Sequence, residues 1–387
     1  MLQMRRLKIG ITCYPTYGGS GVIATELGKA LAEKGHTVHF ISYSLPFRLR
    51  AFSENVFYHE VDVNSYPLFE YPPYSISLAS KMAEVMCYEE LDLLHVHYAI
   101  PHAISAFLAR EILRDRASLS GRCKEAKIIT TLHGTDITLV GTDPSLSGAV
   151  RLGIERSDAV TAVSEYLRRK TIEDFAPTKP ICVIKNFVDT REFSRKPDSE
   201  RFRAAFAKPN EKIIVHLSNF RPLKRVKDVI RIFEKIRRDI PSRLLLIGDG
   251  VERADAERLA RDLKLSDCVR FLGKQEAVVD LLSIADLMLM PSESESFGLA
   301  ALEAMACGVP VVASNVGGLP ELIEHGRNGF VANVGAIDEM ASFAASVLDS
   351  QERWELFSRN ARQTALRFDA QTIVPIYEAY YERVLSL

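Results

Sequence analysis

The chain has 387 residues, of which 47% are hydrophobic and 26% are charged. These fractions lie near globular averages and exclude a largely disordered or collagen-like protein. The 49 basic and 50 acidic residues leave a net charge of −1, so there is no overall basic field for nucleic acid or an anionic membrane. We therefore expect no nucleic-acid partner. No uninterrupted apolar run approaches the roughly 18 residues of a transmembrane helix, so we also expect no stable membrane insertion.

The N-terminal residues and the cysteines predict the compartment. Residues 1–8 run straight into a strand-like segment and lack the apolar core and cleavage site of a signal peptide, which predicts a cytoplasmic protein. The cysteines form no C-x-x-C pair and have no histidines at zinc-finger spacing, which predicts buried free thiols. They are Cys13, Cys87, Cys123, Cys182, Cys268 and Cys307.

The first half alternates short runs rich in Ile, Val and Leu with longer amphipathic stretches. This alternation is typical of parallel strands joined by helices and predicts an α/β fold. Helices are expected to include 21–34, 102–114 and 165–174. The predicted strands are 7–13, 38–43, 91–97, 127–132, 159–163 and 181–185.

A polar, proline-containing stretch over 189–210 precedes a second alternation. Two doubly wound sheets in one chain predict a central cleft, because ligands of such sheets bind beyond the carboxyl ends of the strands. The last helix can pack on either domain. The predicted strands of this half are 212–218, 243–248, 268–272, 286–290 and 309–313, followed by helices over 351–367 and 370–385.

A glycine-rich turn, G-G-S-G over residues 18–21, follows the first strand. Gly19, Gly21 and Ala24 match the G-x-G-x-x-A fingerprint of NAD-binding domains, but no acidic residue ends the second strand at 41–44, as that fingerprint requires. An NAD-dependent dehydrogenase is thus one alternative, and a tight turn that binds nothing is another. Free amides at a helix N-terminus favour a phosphate or carboxylate.

Histidines accompany two of the predicted strands. His133 follows the strand 127–132 beside Gly134 and is expected to face the cleft. His95 and His97 share one face of their strand, where a metal pair is the alternative to packing or hydrogen bonding. The chain contains no D-x-D sequence, the common metal-diphosphate clamp. No metal ligand is therefore predicted.

A cationic turn follows the strand 212–218. Arg221, Lys224 and Arg225 lie within five residues, which suits a diphosphate, while a solvated basic turn is the alternative.

Two carboxylates flank the start of a helix predicted to begin near Gly298. Glu295 precedes the helix, and Glu303 in its second turn is expected to point back toward the N-terminal amides. Two carboxylates around exposed amides suit the hydroxyls of a sugar and a ribose on either side of a phosphate.

The pattern Glu295-x7-Glu303, followed by G-V-P-V-V-A-S over 308–314 and G-G-L-P-E over 317–321, resembles the donor site of retaining glycosyltransferases with the GT-B fold. Shorter matches to that family span nearly the whole chain. The resemblance implies an acceptor-binding Rossmann-like domain over 1–188, completed by a helix over about 368–387, and a nucleotide-sugar-binding Rossmann-like domain over 189–367.

The family usually has arginine where this chain has Asn219, while Lys224 matches. Arg221 or Arg225 is therefore expected to supply the second cation on the diphosphate. The resemblance implies catalytic roles for His133, Lys224 and Glu295, with His133 positioning the sugar. It implies donor contacts from Gly19, Asn219, Arg221, Lys224, Glu295, Phe297, Gly298, Leu299 and Glu303.

At the positions where the chain departs from the family pattern, and in Y-G-G-S-G over 17–21, its sequence resembles that of one subfamily. This subfamily transfers N-acetylglucosamine from UDP-N-acetylglucosamine to L-malate in bacillithiol biosynthesis. This implies retention of the α configuration without a cofactor or metal. The acceptor is expected at Ser20, Tyr98, Thr130 and Thr131. Two alternatives stay open for the function: another acceptor, such as an inositol phosphate or a sugar, or a non-catalytic sensor of a sugar nucleotide. Homo-oligomerisation is also possible.

Overall fold

The computed structural model describes residues 5–16, 18–49, 52–63, 70–120 and 123–387, with the backbone alone for 116–120. Tyr17 of the glycine-rich motif lies outside the described residues. The chain divides into two compact units, Met1–Asn186 with Gln371–Leu387, and Phe187–Ala370.

The first unit is built on a parallel sheet whose described strands run in the order β3-β2-β1-β4-β5-β6-β7. The strands are β1 Lys8–Thr12, β2 Thr37–Ser42, β3 Val56–Glu60, β4 Leu93–His97, β5 Lys127–Leu132, β6 Ala159–Ala162 and β7 Ile181–Val183. The helices are α1 Gly19–Glu33, α2 Tyr74–Tyr88, α3 Ile104–Ser120, α4 Pro144–Arg156 and α5 Glu165–Phe175, with short helical turns at Ala99–Ala103 and Thr135–Leu139.

The second unit repeats the design in a parallel sheet of order β10-β9-β8-β11-β12-β13. The strands are β8 Lys212–Leu217, β9 Ser242–Ile247, β10 Val269–Gly273, β11 Leu287–Met290, β12 Val311–Ser314 and β13 Gly329–Ala332. The helices are α6 Ser199–Arg203, α7 Val226–Asp239, α8 Arg253–Asp262, α9 Val278–Ser283, α10 Leu299–Ala306, α11 Ile337–Leu348 and α12 Gln351–Leu366, with short turns at Pro222–Lys224 and Leu319–Glu321. A further helix, α13 Ala370–Leu385, follows α12 in the chain.

Each sheet has a point where the strand order reverses. In the first unit β1 pairs with both β2 and β4, and in the second β8 pairs with both β9 and β11. Loops that leave neighbouring strands in opposite directions open a crevice at such a point, where open parallel sheets bind their ligands. The glycine-rich turn follows β1, and the cationic turn follows β8.

The last helix, α13, packs into the core of the first unit. Tyr377 and Tyr381 are fully buried, the Tyr381 hydroxyl lies 2.8 Å from His95 Nδ1, and the Tyr380 hydroxyl donates to the Val160 carbonyl at 3.2 Å. Apart from Ala370, the helix belongs to the unit formed by the first half of the chain.

Two strands were not expected from the sequence. β3 lies at the sheet edge, and none of its side chains is fully buried, so it lacks the apolar run typical of a central strand. β13 also lies at an edge, has four residues and begins with Gly329. Short edge strands carry a weak hydrophobic signal.

The expectation that all six thiols are free is wrong for one pair. Cys87 at the end of α2 and Cys123 before β5 form a disulfide with a Cα–Cα distance of 5.1 Å, while the other four are free. The two cysteines are 36 residues apart, and only the packing of α2 beside α3 brings them together. Within the described residues, no helix is long and apolar enough to cross a membrane.

Candidate active site

The loop between β1 and α1 leaves amides and a hydroxyl at the reversal point of the first sheet. Gly18 precedes α1 in an extended conformation, and no side chain caps the helix. The amides of Gly19–Gly21 therefore have no capping partner. The first intrahelical bond runs from the Val22 amide to the Gly18 carbonyl at 3.1 Å. The Ser20 hydroxyl donates to the Tyr98 oxygen at 2.7 Å. Ser20 and Tyr98, two of the predicted acceptor residues, are therefore in direct contact.

Tyr98 directly follows β4 in a strained conformation. Its φ is +95°, which for a residue with a bulky side chain costs of order 1–3 kcal/mol and occurs mainly at functional sites. Its amide donates to the Thr131 carbonyl at 2.9 Å. Its ring centroid lies 5.5 Å from those of Tyr14 and His133. The strained backbone thus holds a phenol between the β1 and β5 loops.

His133 lies at the end of β5 as a neutral, oriented imidazole. Its Nε2 is 2.8 Å from His97 Nδ1, and burial lowers its pKa to about 3. Asp136 fixes the adjoining backbone, because its carboxylate accepts from the amides of Ala99 and Gly134 at 2.9 Å. A neutral imidazole held in this way positions a hydroxyl better than it stores a proton near pH 7.

The predicted acceptor residues Thr130 and Thr131 lie on opposite faces of β5. Thr130 bonds Ser157 at 2.7 Å, whereas Thr131 lies 2.7 Å from both Thr161 Oγ1 and His95 Nε2. Both threonines are fully buried. Because neighbouring residues of a strand face opposite sides, the structure does not support contacts of both hydroxyls with one acceptor.

The same contacts bear on the alternative of a metal pair at His95 and His97. Both nitrogens of His95 are occupied, one by the Tyr381 hydroxyl at 2.8 Å and the other by Thr131. His97 Nδ1 faces His133. The pair therefore forms part of a hydrogen-bonding network in the first unit.

In the second unit, the loops after β8 and β11 meet in an ion pair. Lys224 Nζ lies 2.5 Å from Glu295 Oε1, and the Ser292 hydroxyl donates to the same oxygen at 2.9 Å. Gly317, with φ +59°, passes so close that an added Cβ would lie 1.7 Å from the Glu295 carbonyl oxygen. Two predicted catalytic side chains are thus in contact, on a backbone that is itself tightly packed.

The structure distinguishes the two arginines of the cationic turn. Arg225 pairs with Asp228 at 2.5 Å and with Glu293 at 2.6 Å. Arg221 is exposed and forms no ion pair with any residue in the described part of the chain. Asn219, in the position where arginine was expected, is also exposed. Arg221 is therefore the cation that this turn leaves available to a ligand.

The start of α10 follows the loop after β11. Gly298, with φ +95°, precedes the helix, and a Cβ there would lie 2.6 Å from Leu319 Cδ2, so glycine is required. No side chain caps α10 and its first turn holds no acidic residue. Phe297 is buried against Phe368, at a centroid distance of 5.9 Å. Uncapped amides from Gly298 and Leu299 suit an anion.

Glu303 lies in the second turn of α10 and is 5% exposed. A helical side chain tilts toward the helix N-terminus, which directs this carboxylate toward the end of α10 that follows Gly298. Its position on α10 agrees with the sequence prediction.

His216 was not assigned a role from the sequence. Its Nδ1 lies 2.8 Å from the Leu289 carbonyl and its Nε2 lies 2.7 Å from the Ser218 hydroxyl. Burial lowers its pKa to about 4. The neutral ring thus joins the carboxyl ends of β8 and β11. Two signals for it were present in the sequence, its place near a strand end and its position in the segment His216–Arg225 that resembles the subfamily, but neither identifies the distant partner strand.

Comparison with known proteins gives the family of each half. Residues 17–192 match the model described as Glycosyltransferase Family 4, and residues 198–364 match Glycosyl transferases group 1. Among solved structures, the Anabaena protein Alr3699/HepE in complex with UDP and glucose has a TM-score of 0.79 at 21% identity, covering 99% of this chain and 100% of that one. This likeness shows the fold.

Curated relatives extend over most of the chain. A D-inositol 3-phosphate glycosyltransferase 2 of Catenulispora acidiphila is 32% identical over 72% of this chain and 67% of its own. The N-acetyl-alpha-D-glucosaminyl L-malate synthase of Bacillus anthracis is 49% identical over 98% of both chains. These relatives give no support to a dehydrogenase. The chain is a glycosyltransferase of the GT-B fold and belongs to the family of N-acetyl-alpha-D-glucosaminyl L-malate synthase.

Proposed function

We propose that the protein transfers N-acetylglucosamine from UDP-N-acetylglucosamine to the hydroxyl of L-malate with retention of the α configuration, the first step of bacillithiol biosynthesis. The observation that carries this proposal is the 49% identity to the Bacillus anthracis synthase over 98% of both chains. The geometry of the second unit supports the donor, and that of the first unit supports a small anionic acceptor.

The donor diphosphate binds at the reversal point of the second sheet. The uncapped amides of α10, Lys224 and Arg221 supply positive charge from the loops after β8 and β11. Glu303 holds the ribose hydroxyls, and Glu295 holds the sugar hydroxyls. Fixed dipoles and cations of this kind stabilise charge as it develops on a leaving group, without a metal ion.

Transfer proceeds on one face of the sugar. The bond between the anomeric carbon and the β-phosphate oxygen breaks as the malate oxygen bonds to the same face of that carbon. The malate proton passes to the departing phosphate oxygen, so the products are the glycoside and UDP. His133, which is neutral through burial, orients the sugar hydroxyls and takes no covalent part.

The acceptor binds at the reversal point of the first sheet. One malate carboxylate accepts from the free amides at the start of α1 and from the Ser20 hydroxyl, which turns its proton from the Tyr98 oxygen to the ligand. The Tyr98 phenol donates to the other carboxylate or to the reacting hydroxyl. Thr130 and Thr131 act indirectly in this proposal, because both are fully buried and hydrogen-bonded within the sheet.

One assay tests the reaction. The chain is incubated with UDP-N-acetylglucosamine and with L-malate, lactate or inositol phosphate, while UDP release and the anomeric proton signal of the product are measured. Malate should exceed lactate by at least about 10-fold, because one charge-assisted carboxylate contact is worth roughly 1.5–3 kcal/mol. The product should be the α anomer.

Other results separate the alternatives. A β anomer contradicts retention. Inositol phosphate as the better acceptor overturns malate but leaves the donor site standing. Binding of the nucleotide sugar without UDP release under any condition identifies a sensor.

A variant tests the acceptor site separately. Ser20→Ala should raise the KM for malate by about 5- to 10-fold, the value of one hydrogen bond, and leave the KM for the nucleotide sugar nearly unchanged. Ser145→Ala is the matched control, since Ser145 is an exposed serine at the start of another helix of this unit, α4. Equal effects of Ser20→Ala on both KM values would contradict a contact with malate.

A further inference from the structure

Two histidines of the first unit meet across neighbouring strands, away from the loops of the candidate site. His39 on β2 lies opposite Phe57 on β3, and His59 follows two residues along β3. Residues two apart on a strand face the same side, so both imidazoles lie on one face of the sheet. His39 Nδ1 and His59 Nε2 are 2.9 Å apart.

A carboxylate completes the group. Glu89 immediately follows α2. One nitrogen from each histidine and one Glu89 oxygen all lie within 4.8 Å of one another, the one such group of three found among the described residues. His39 is buried, whereas His59 and Glu89 are partly exposed. Three ligand atoms from three separate elements therefore converge at a point that solvent can reach.

The donor set suits a transition metal. Imidazole nitrogens and carboxylate oxygens are both zinc ligands in proteins, and His39 Nδ1 and His59 Nε2 lie close enough together to contact one ion.

We propose that His39, His59 and Glu89 form a site for a divalent transition metal, zinc above all. Zinc binds histidine nitrogens at roughly 2.0–2.1 Å and carboxylate oxygens at roughly 2.0–2.2 Å in tetrahedral geometry, which separates two nitrogen ligands by about 3.3 Å. The imidazole nitrogens need to part by only a few tenths of an ångström. Two histidines and one glutamate leave the fourth position to water.

A metal ion at this site would stabilise the edge of the sheet. Among the described strands β3 is an edge strand that pairs only with β2. Glu89 lies two residues beyond Cys87, whose disulfide to Cys123 fixes the end of α2. A bound ion would join β2, β3 and the end of α2 directly. The role is therefore stabilisation of this edge, independent of the proposed glycosyl transfer.

The test compares metal binding by the full chain and two variants. Chelator-treated protein is dialysed against Zn²⁺, and bound zinc per chain is measured by mass spectrometry. His59→Gln removes a partly exposed ligand from the edge strand with little risk to the core. His325→Gln in the second unit is the control. Within the described residues, the His325 imidazole has hydrogen-bond contacts only with the backbone of Val331. Far-UV circular dichroism verifies that both variants are folded.

The wild-type protein and His325→Gln should each bind one more zinc ion per chain than His59→Gln. The zinc affinity of the site should fall at least about 100-fold in His59→Gln, because the loss of a direct ligand costs more than the loss of a residue that only supports a ligand. Cobalt should give the strong visible absorption of a tetrahedral site with the wild-type protein but not with His59→Gln. Zinc should raise the unfolding temperature of the wild-type protein. Equal zinc content in wild type and His59→Gln would overturn the proposal and leave an imidazole hydrogen bond only.

Discussion

The substitution Glu295→Gln should leave UDP binding intact or tighten it while it impairs transfer. In the free protein, Lys224 is paired with Glu295 at 2.5 Å, so a diphosphate that recruits Lys224 has to weaken this pair. Glutamine keeps the shape of the side chain but removes the charge that competes with the phosphate. The sugar, in contrast, loses the carboxylate that is proposed to hold its hydroxyls.

The exposure of the pair sets the size of the effect. The two side chains are 18% and 12% exposed, between surface pairs worth about 0.2–1 kcal/mol and buried pairs whose disruption costs about 3–5 kcal/mol. A coupling of about 1–2 kcal/mol follows. If UDP binding no longer has to offset this coupling energy, UDP binds up to about 5- to 30-fold more tightly to Glu295→Gln than to the wild-type protein.

Calorimetric titration with UDP measures this effect beside the rate of transfer. Glu293→Gln is the matched control, because Glu293 lies two residues away, is 50% exposed and pairs with Arg225 instead; it should change neither quantity appreciably. A loss of UDP affinity in Glu295→Gln as large as that in Glu303→Gln would refute the assigned roles, and an unchanged transfer rate would remove Glu295 from the sugar site.

Three further predictions concern the donor, metals and pH. Glu303→Gln should weaken UDP binding by about 10- to 150-fold, the value of roughly 1.5–3 kcal/mol for a charged hydrogen bond, as calorimetry can measure; an unchanged affinity excludes the ribose contact. A chelator should leave the transfer rate unchanged, whereas loss of activity with recovery in manganese would contradict charge stabilisation by protein groups alone. The free energy of unfolding should fall as the pH is lowered from 6.5 to about 4, because the histidines bind protons in the unfolded chain but stay neutral in the folded one, at up to about 1.4 kcal/mol per histidine per pH unit. Burial raises the pKa of Asp136 to about 6, which opposes this loss in part. Denaturant midpoints at pH 7 and pH 5 test the direction, and equal midpoints would contradict it. The histidines with strongly lowered pKa values are His39, His95, His97, His102, His133 and His216.

Sequence patterns predicted the central strands because those are buried on both faces and read as continuous apolar runs. β5 matches its predicted bounds of 127–132, and α13 matches 370–385. The edge strand β3 was missed because all of its residues are partly buried or exposed. Local pattern thus reports burial, and edge strands are the least buried part of a sheet.

Pairings between distant residues were beyond the sequence. The contact of Lys224 with Glu295 and the disulfide of Cys87 with Cys123 depend on which loops and helices the fold brings together. The opposite orientation of Thr130 and Thr131 was, in contrast, available from strand periodicity alone. The choice of Arg221 over Arg225 required the ion pairs of Arg225 with Asp228 and Glu293.

The return of α13 to the first unit affects how the chain folds during synthesis. Gln371–Leu387 emerge only after the whole of Phe187–Ala370 has been made, a delay of about 10 to 40 s at synthesis rates of roughly 5–20 residues per second. Until then the nascent first unit lacks Tyr377 and Tyr381, and the His95 face of β4 that they cover in the finished protein has no helix over it. The unit that begins folding first is therefore completed last, and its sheet is open to aggregation or chaperone binding throughout that interval.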